Sequence, residues 1–245
     1  MTPRRSEAKE RKENILAITV DQYIKTIFPV SSAFIAQESG LELSSATIRN
    51  VLAELEEEGY LTHPHTSAGR IPTQMGYRYY VDHLMEEIQL LEEEKTRIRG
   101  EYARVSAELE DLLERTSKVL SETTHYTSFV SVDGWGHKVF CQGTSFIVGY
   151  PDYQNIEKIR SILAVLDEKE RLWEIINKAL ERKVEVFIGR EMECEDIDNC
   201  SMVVSRYRSR HGQSGRIAVL GPTRMDYKRV VSALDYLSSL MEEIL

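Results

Sequence analysis

The segment from Leu43 to Tyr80, LSSATIRNVLAELEEEGYLTHPHTSAGRIPTQMGYRYY, leaves the chain few ways to fold. Ser44 is a good N-cap, because its hydroxyl can accept from the free backbone N–H of Thr47. Helical spacing then puts Ile48, Val51, Leu52 and Leu55 on one side, the core side. Ala46, Asn50 and Ala53 fall opposite, with Thr47 and Arg49 on the flanks. Glu56, Glu57, Glu58 and Gly59 close the helix, with Gly59 in the usual C-terminal position. Tyr60-Leu61-Thr62 reads as a short strand, and His63 to Arg70 has turn composition. Ile71-Pro72-Thr73 resumes extended structure, and Gln74 to Tyr80 begins a new helix.

Upstream, Ile15 to Ile24 carries a helical apolar stripe and Pro29 breaks it. Ser31 or Ser32 can cap a second helix through Ala33, Phe34, Ile35 and Ala36, and Gly40 stops it. Helix, helix, helix, strand, turn, strand, helix is the order of a winged helix-turn-helix. The outward face of the third helix suits a major groove. Small residues allow close approach, Asn can pair bidentately with adenine, and Arg can meet guanine or phosphate. The same face also fits a solvated surface on an ordinary capped helix. On the first reading, Ser45, Ala46, Thr47, Arg49 and Asn50 meet the groove. Arg70, with Thr66 and Ser67, serves the wing, and Lys25, Tyr77 and Arg78 are candidates for phosphate. Ser44 and Ile48 are structural.

Charge at first opposes a DNA partner. The formal net charge is −9, and residues 1–83 hold nine Lys/Arg against eleven Asp/Glu. Placement outweighs the sum, because phosphate contacts are local. Glu54, Glu56, Glu57 and Glu58 cluster at the C-terminal end of the third helix, away from the end that usually meets bases. Arg4, Arg5, Lys9, Arg11, Lys12, Lys25, Arg49, Arg70 and Arg78 are expected to gather on the other side.

These residues resemble a known family. Residues 15–85 look like the DNA-binding domain of the heat-inducible transcription repressor HrcA. The matching words are Ser45-Ala46-Thr47-Ile48-Arg49-Asn50, Gly59-Tyr60-Leu61, His65-Thr66-Ser67-Ala68-Gly69-Arg70-Ile71-Pro72-Thr73 and Gly76-Tyr77-Arg78. The run Gly215 to Tyr227, GRIAVLGPTRMDY, resembles the family's C-terminal signature. Gly189-Arg190-Glu191 and Cys200-Ser201-Met202-Val203 fit its order. The resemblance implies a repressor of heat-shock and chaperone genes. It would bind an inverted-repeat operator as a homodimer and depend on the chaperonin GroEL.

From Leu84 to Val119 runs a heptad. Leu84, Leu91, Ile98, Val105, Leu112 and Val119 hold one seam position; Ile88, Lys95, Tyr102, Leu109 and Thr116 hold the other. One reading is a coiled coil that joins two copies, which calls for a palindromic site. The other is one long helix packed on the chain's own C-terminal domain. Family members are typically longer, and the break falls near Asp133-Gly134-Trp135-Gly136. The family's inserted dimerisation segment and part of its GAF-like sheet would be absent, which gives the heptad a dimerising role.

The expected organisation is therefore α+β. A winged helix occupies residues 1–83, a long linker helix 84–122, and a reduced GAF-like domain 123–245. In the last, Thr127 to Val132, Val184 to Ile188, Ser201 to Val204 and Arg216 to Leu220 read as strands. Ile156 to Leu166 and Lys169 to Leu180 read as helices. A final helix from Arg224 to Leu245 buries Val230, Leu234, Leu237, Leu240, Met241 and Ile244. Thr223 caps it with Asp226 at N3, or Arg224 contacts an anion or partner.

No catalytic constellation, phosphate-binding loop or zinc spacing is found, and no enzyme activity, cofactor or metal is expected. His63 and His65 are read as wing residues. Cys141, Cys194 and Cys200 are odd in number and widely spaced, which fits a reduced, cytoplasmic setting. Residues 1–14 lack an apolar leader, and no stretch suits a membrane span. A GAF-like sensor or interaction scaffold is the alternative function.

Overall fold

The computed structural model describes all residues except 1, 2, 39–42, 65–68, 103–108, 154, 179, 210 and 211, and leaves out the side chains of residues 3–6 and 169. It forms two compact units, Met1–Glu86 and Glu87–Leu245.

In the first unit, α1 (Pro3–Thr26) ends at Ile27, whose N–H donates to the Tyr23 carbonyl at 2.8 Å. Helix α2 (Ser32–Glu38) follows, with the Ser31 hydroxyl accepting from the Phe34 N–H at 3.1 Å. The expected stop at Gly40 lies outside the described residues. Helix α3 (Ser45–Glu57) starts at the Ser44 cap, which accepts from the Thr47 N–H at 3.1 Å. Its Ile48, Leu52 and Leu55 are buried together with Ile15, Leu16, Val20 and Ile35. Each such side chain contributes about 1.5–3 kcal/mol. Strands β1 (Leu61–Thr62) and β2 (Ile71–Pro72) pair antiparallel, and Thr73 caps α4 (Gln74–Tyr79). Gly76 allows α4 to rest on the hairpin, since a Cβ there would lie 2.2 Å from the Tyr60 carbonyl oxygen.

Helix α4 runs into one π-helical turn, Tyr80–Leu84, and residues 85–91 are not helical. The single linker helix expected over this stretch does not form. In its place stand two helices of the second unit, α5 (Glu92–Tyr102) and α6 (Leu109–Thr124). The seam divides accordingly. Ile98, Tyr102, Leu112, Thr116 and Val119 are buried, and the Tyr102 hydroxyl donates to Thr116 Oγ1 at 2.7 Å. Leu84 and Leu109 are half-buried, Ile88 and Leu91 are exposed, and Val105 is outside the described residues. The reason is physical: an apolar stripe has the same spacing whether it meets another chain or its own sheet.

That sheet has five antiparallel strands in the order β4-β3-β7-β6-β5. They are β3 (Thr127–Val132), β4 (Val139–Gln142), β5 (Val184–Ile188), β6 (Cys200–Arg208) and β7 (Ser214–Pro222). Between β4 and β5 come α7 (Ser145–Gly149), α8 (Ile156–Asp167) and α9 (Lys169–Ile176); α10 (Tyr227–Ile244) ends the chain. Phe129, Met202, Val204, Ala218 and Leu220 form one core with Ile162, Val165, Leu172 and Ile176 of α8 and α9. By strand alternation Val130, Val203 and Val219 point to the other face, where α6 and α10 pack. Burial on both faces extends β6 and β7 beyond the expected strands. Helix α10 starts later than expected, with Asp226 as its cap, accepting from the Arg229 N–H at 3.1 Å. Thr223 is instead engaged through its backbone, its carbonyl accepting from the Tyr227 hydroxyl. Ile244, expected inside, is exposed because it lies in the last turn of the chain.

Candidate nucleic-acid interface

The N-terminal half of α3 is polar, small-sided and open. Ala46, Arg49 and Asn50 are exposed, while Ser45 and Thr47 are half-buried. Ser44 Oγ lies 2.9 Å from Thr47 Oγ1, so the cap orders the hydroxyl beside the open face. Neither Arg49 nor Asn50 has a hydrogen-bond or ion-pair partner among the described residues. Ile48, which immediately precedes them, is fully buried and anchors the turn that carries both. Lys25, at the end of α1, is likewise exposed.

The other expected contacts are placed differently. Tyr77 is 3% exposed and belongs to the core of the unit, so it is not a surface phosphate contact. Arg78 pairs with Asp82 at 3.2 Å, one helical turn away. Thr66 and Ser67 lie outside the described residues. Arg70 stands at the base of the loop. Its backbone exchanges two 2.9 Å hydrogen bonds with Val30, and its Nη2 lies 2.7 Å from Glu56 Oε2.

The acidic end of α3 is met from within the unit. Lys12 Nζ lies 2.6 Å from Glu58 and 3.5 Å from Glu54. The hydrogen bond to Glu58 raises the Lys12 pKa above its ordinary value. His63 and Arg70 both engage Glu56. The expected segregation of basic residues away from the glutamates is thus corrected, since Lys12 and Arg70 sit on them. Attraction between opposite charges a few ångströms apart draws them there. Sequence reasoning missed Glu56 as a contributor. Its partners His63 and Arg70 come from β1 and β2 flanks, and no local spacing announces a contact made through tertiary folding.

In the second unit Arg224, considered as an anion contact, is buried and chelated by Asp152, with Nε and Nη2 at 2.9 and 2.7 Å. Cys194 and Cys200 are buried free thiols, and burial pushes the Cys200 thiol up to about 12. No group of metal-ligating side chains occurs among the described residues, and no helix there is long and apolar enough to cross a membrane.

Fold and surface together define a two-unit α+β protein in which an open polar helix face stands beside a small hairpin. Residues 132–231 match the family model for the HrcA protein C terminal domain. The chain is 32% identical to the heat-inducible transcription repressor HrcA of Carboxydothermus hydrogenoformans, over 96% of this chain and 98% of that protein. It is 31% identical to the same repressor of Desulforudis audaxviator, over 96% and 97%. The chain belongs to the heat-inducible transcription repressor HrcA family. The alignment to the first relative runs over 334 positions, more than the 245 residues here, so that relative carries residues this chain lacks. A solved structure, that of a hypothetical protein at 2.2 Å, shares the fold with a TM-score of 0.73 and 18% identity, over 96% of this chain and 97% of that one.

Proposed function

We propose that this chain represses transcription of heat-shock and chaperone genes by binding an inverted-repeat operator as a dimer. The first unit is then a winged helix-turn-helix, with α3 in the major groove and the β1–β2 loop as the wing. The observation that carries the reading is the exposed Arg49–Asn50 pair, without partners among the described residues, on a capped helix whose opposite face buries Ile48, Leu52 and Leu55. Ser45, Ala46 and Thr47 let the backbone approach the base edges, and Lys25 supports from the phosphate backbone. Family membership supports the repressor role.

A dimer places two copies of α3 on two half-sites. Among the described residues, Ile88 and Leu91 are the exposed apolar part of the heptad seam, open to a second copy. We place the segment missing from this chain at the β3–β4 turn, where Ser131 and Val139 pair across a short connection. On this reading the second unit is a reduced GAF-like domain. It serves assembly or response to GroEL, the chaperonin partner that the resemblance implies.

Selection of bound duplexes from a random pool tests the proposal. The expected product is a two-fold symmetric motif whose recovery depends on Asn50, and sedimentation of the free protein as a dimer. Enrichment of no shared motif at low salt contradicts it. Adding purified GroEL to the binding reaction tests the chaperonin part, with tighter operator binding expected.

A further inference from the structure

Glu56 sits in the last turn of α3, and its carboxylate engages two cationic or proton-bearing side chains from either side of the hairpin. His63 follows β1 and meets Oε1; Arg70 precedes β2 and meets Oε2 at 2.7 Å. One carboxylate therefore ties α3 to both stems of the loop, at a half-buried position.

The arginine end of this contact is unusually fixed. Arg70 N donates to the Val30 carbonyl and Val30 N to the Arg70 carbonyl, both at 2.9 Å. The neighbouring Gly69 allows that approach, since a Cβ there would lie 2.4 Å from the Val30 oxygen. Arg70 Nε is buried without a hydrogen-bond partner, Nη2 is held by Glu56, and Nη1 has no partner among the described residues. The side chain keeps 23% of its surface open. A guanidinium presents its donors in a rigid planar fork, so fixing one terminal nitrogen fixes the direction of the other.

We propose that Glu56 is a positioning residue for DNA binding: it holds Arg70 so that the free Nη1 faces a backbone phosphate, with Nη2 still on the carboxylate. The inference rests on the DNA-binding reading above and extends it to a residue that touches no nucleic acid. Glu56 lowers the rotamer entropy lost when Arg70 meets its phosphate. His63 holds the same carboxylate from the opposite stem and keeps it from following the arginine outward.

The test is a double-mutant cycle on duplex affinity, measured against salt for the wild type, Glu56→Ala, Arg70→Ala and the double variant. Arg70→Ala should weaken binding about tenfold and lower the salt slope by about 0.9, as for one lost phosphate contact. Glu56→Ala should weaken it by a similar factor, and the double variant should be no weaker than Arg70→Ala. Glu56→Gln, which keeps an acceptor at the same place, should recover most of the loss. Matched thermal melts remove any unfolded fraction from the comparison. Losses that multiply in the double variant overturn the inference, because Glu56 would then act independently of Arg70. Failure of Glu56→Gln to recover affinity overturns it as well. A wild type that binds no duplex sinks the DNA-binding reading first, and this inference with it.

Discussion

Arg49 on α3 and Arg224 at the head of α10 are the same side chain in opposite circumstances. Arg49 is exposed and has no partner among the described residues. Arg224 is 8% exposed, grips Asp152 and lies over the ring of Tyr150. The serines differ in burial, but all are tied into their own fold. Ser44 caps a helix at the surface, whereas Ser117, Ser121 and Ser128 are buried and bonded to one another or to backbone between α6 and β3. A polar group tied into its own fold specifies structure; one held on a rigid element but left untied is available to a partner. The second unit around these residues is built as a scaffold, and the first keeps one face in reserve.

The largest test of this contrast is on the scaffold side. Arg224→Ala should destabilise the second unit by about 3 kcal/mol, because Asp152 is left part-buried without its counter-charge. Denaturant unfolding of the full chain measures it. Next, Arg49→Ala and Asn50→Ala should each cost about 1–3 kcal/mol in binding to a selected duplex. Their unfolding free energies should stay within about 0.5 kcal/mol of wild type. A stability loss as large as that of Arg224→Ala would erase the distinction between the two arginines.

Ser44→Ala falls between the two classes. Loss of the cap should lower stability by about 1 kcal/mol and weaken DNA binding as the first turn of α3 frays. The smallest effect concerns pH. The hydrogen bond from the Tyr79 hydroxyl to Glu13, with burial second, raises the phenol to about 12. The folded value is above the unfolded one, so this contribution is present below about pH 10 and lost as pH rises toward 12. Lys12 shifts in the same direction through Glu58. Tyr79→Phe should therefore flatten the alkaline decline in melting temperature of the first unit and change nothing at pH 7 beyond a constant offset.

Legibility followed the range of the interactions. The Ser44 cap, the buried Ile48–Leu52–Leu55 stripe and the Gly59 terminus are set by neighbours within one or two turns, and the sequence displays them. The strands β5 and β7 were also visible, as short β-branched runs. The heptad was visible too, but its partner was not. Ile98 and Val119 sit inside their own unit, and nothing in a seven-residue period distinguishes that from a second chain. Tyr77 is a phosphate candidate by its place beside Arg78, but it is buried, and burial set by tertiary packing shows in no local spacing. The Glu56–Arg70 pair joins residues fourteen apart through a strand pair, and only the folded hairpin brings them together.

On the proposed function, α3 reads base edges with Arg49 and Asn50. The most direct measurement is the ratio of affinities for the selected duplex and for random duplex, at one fixed salt concentration, in wild type and Asn50→Ala. The ratio should fall about tenfold or more while random-duplex affinity holds, as for a lost bidentate base contact. Equal weakening on both duplexes, with the ratio unchanged, would contradict it.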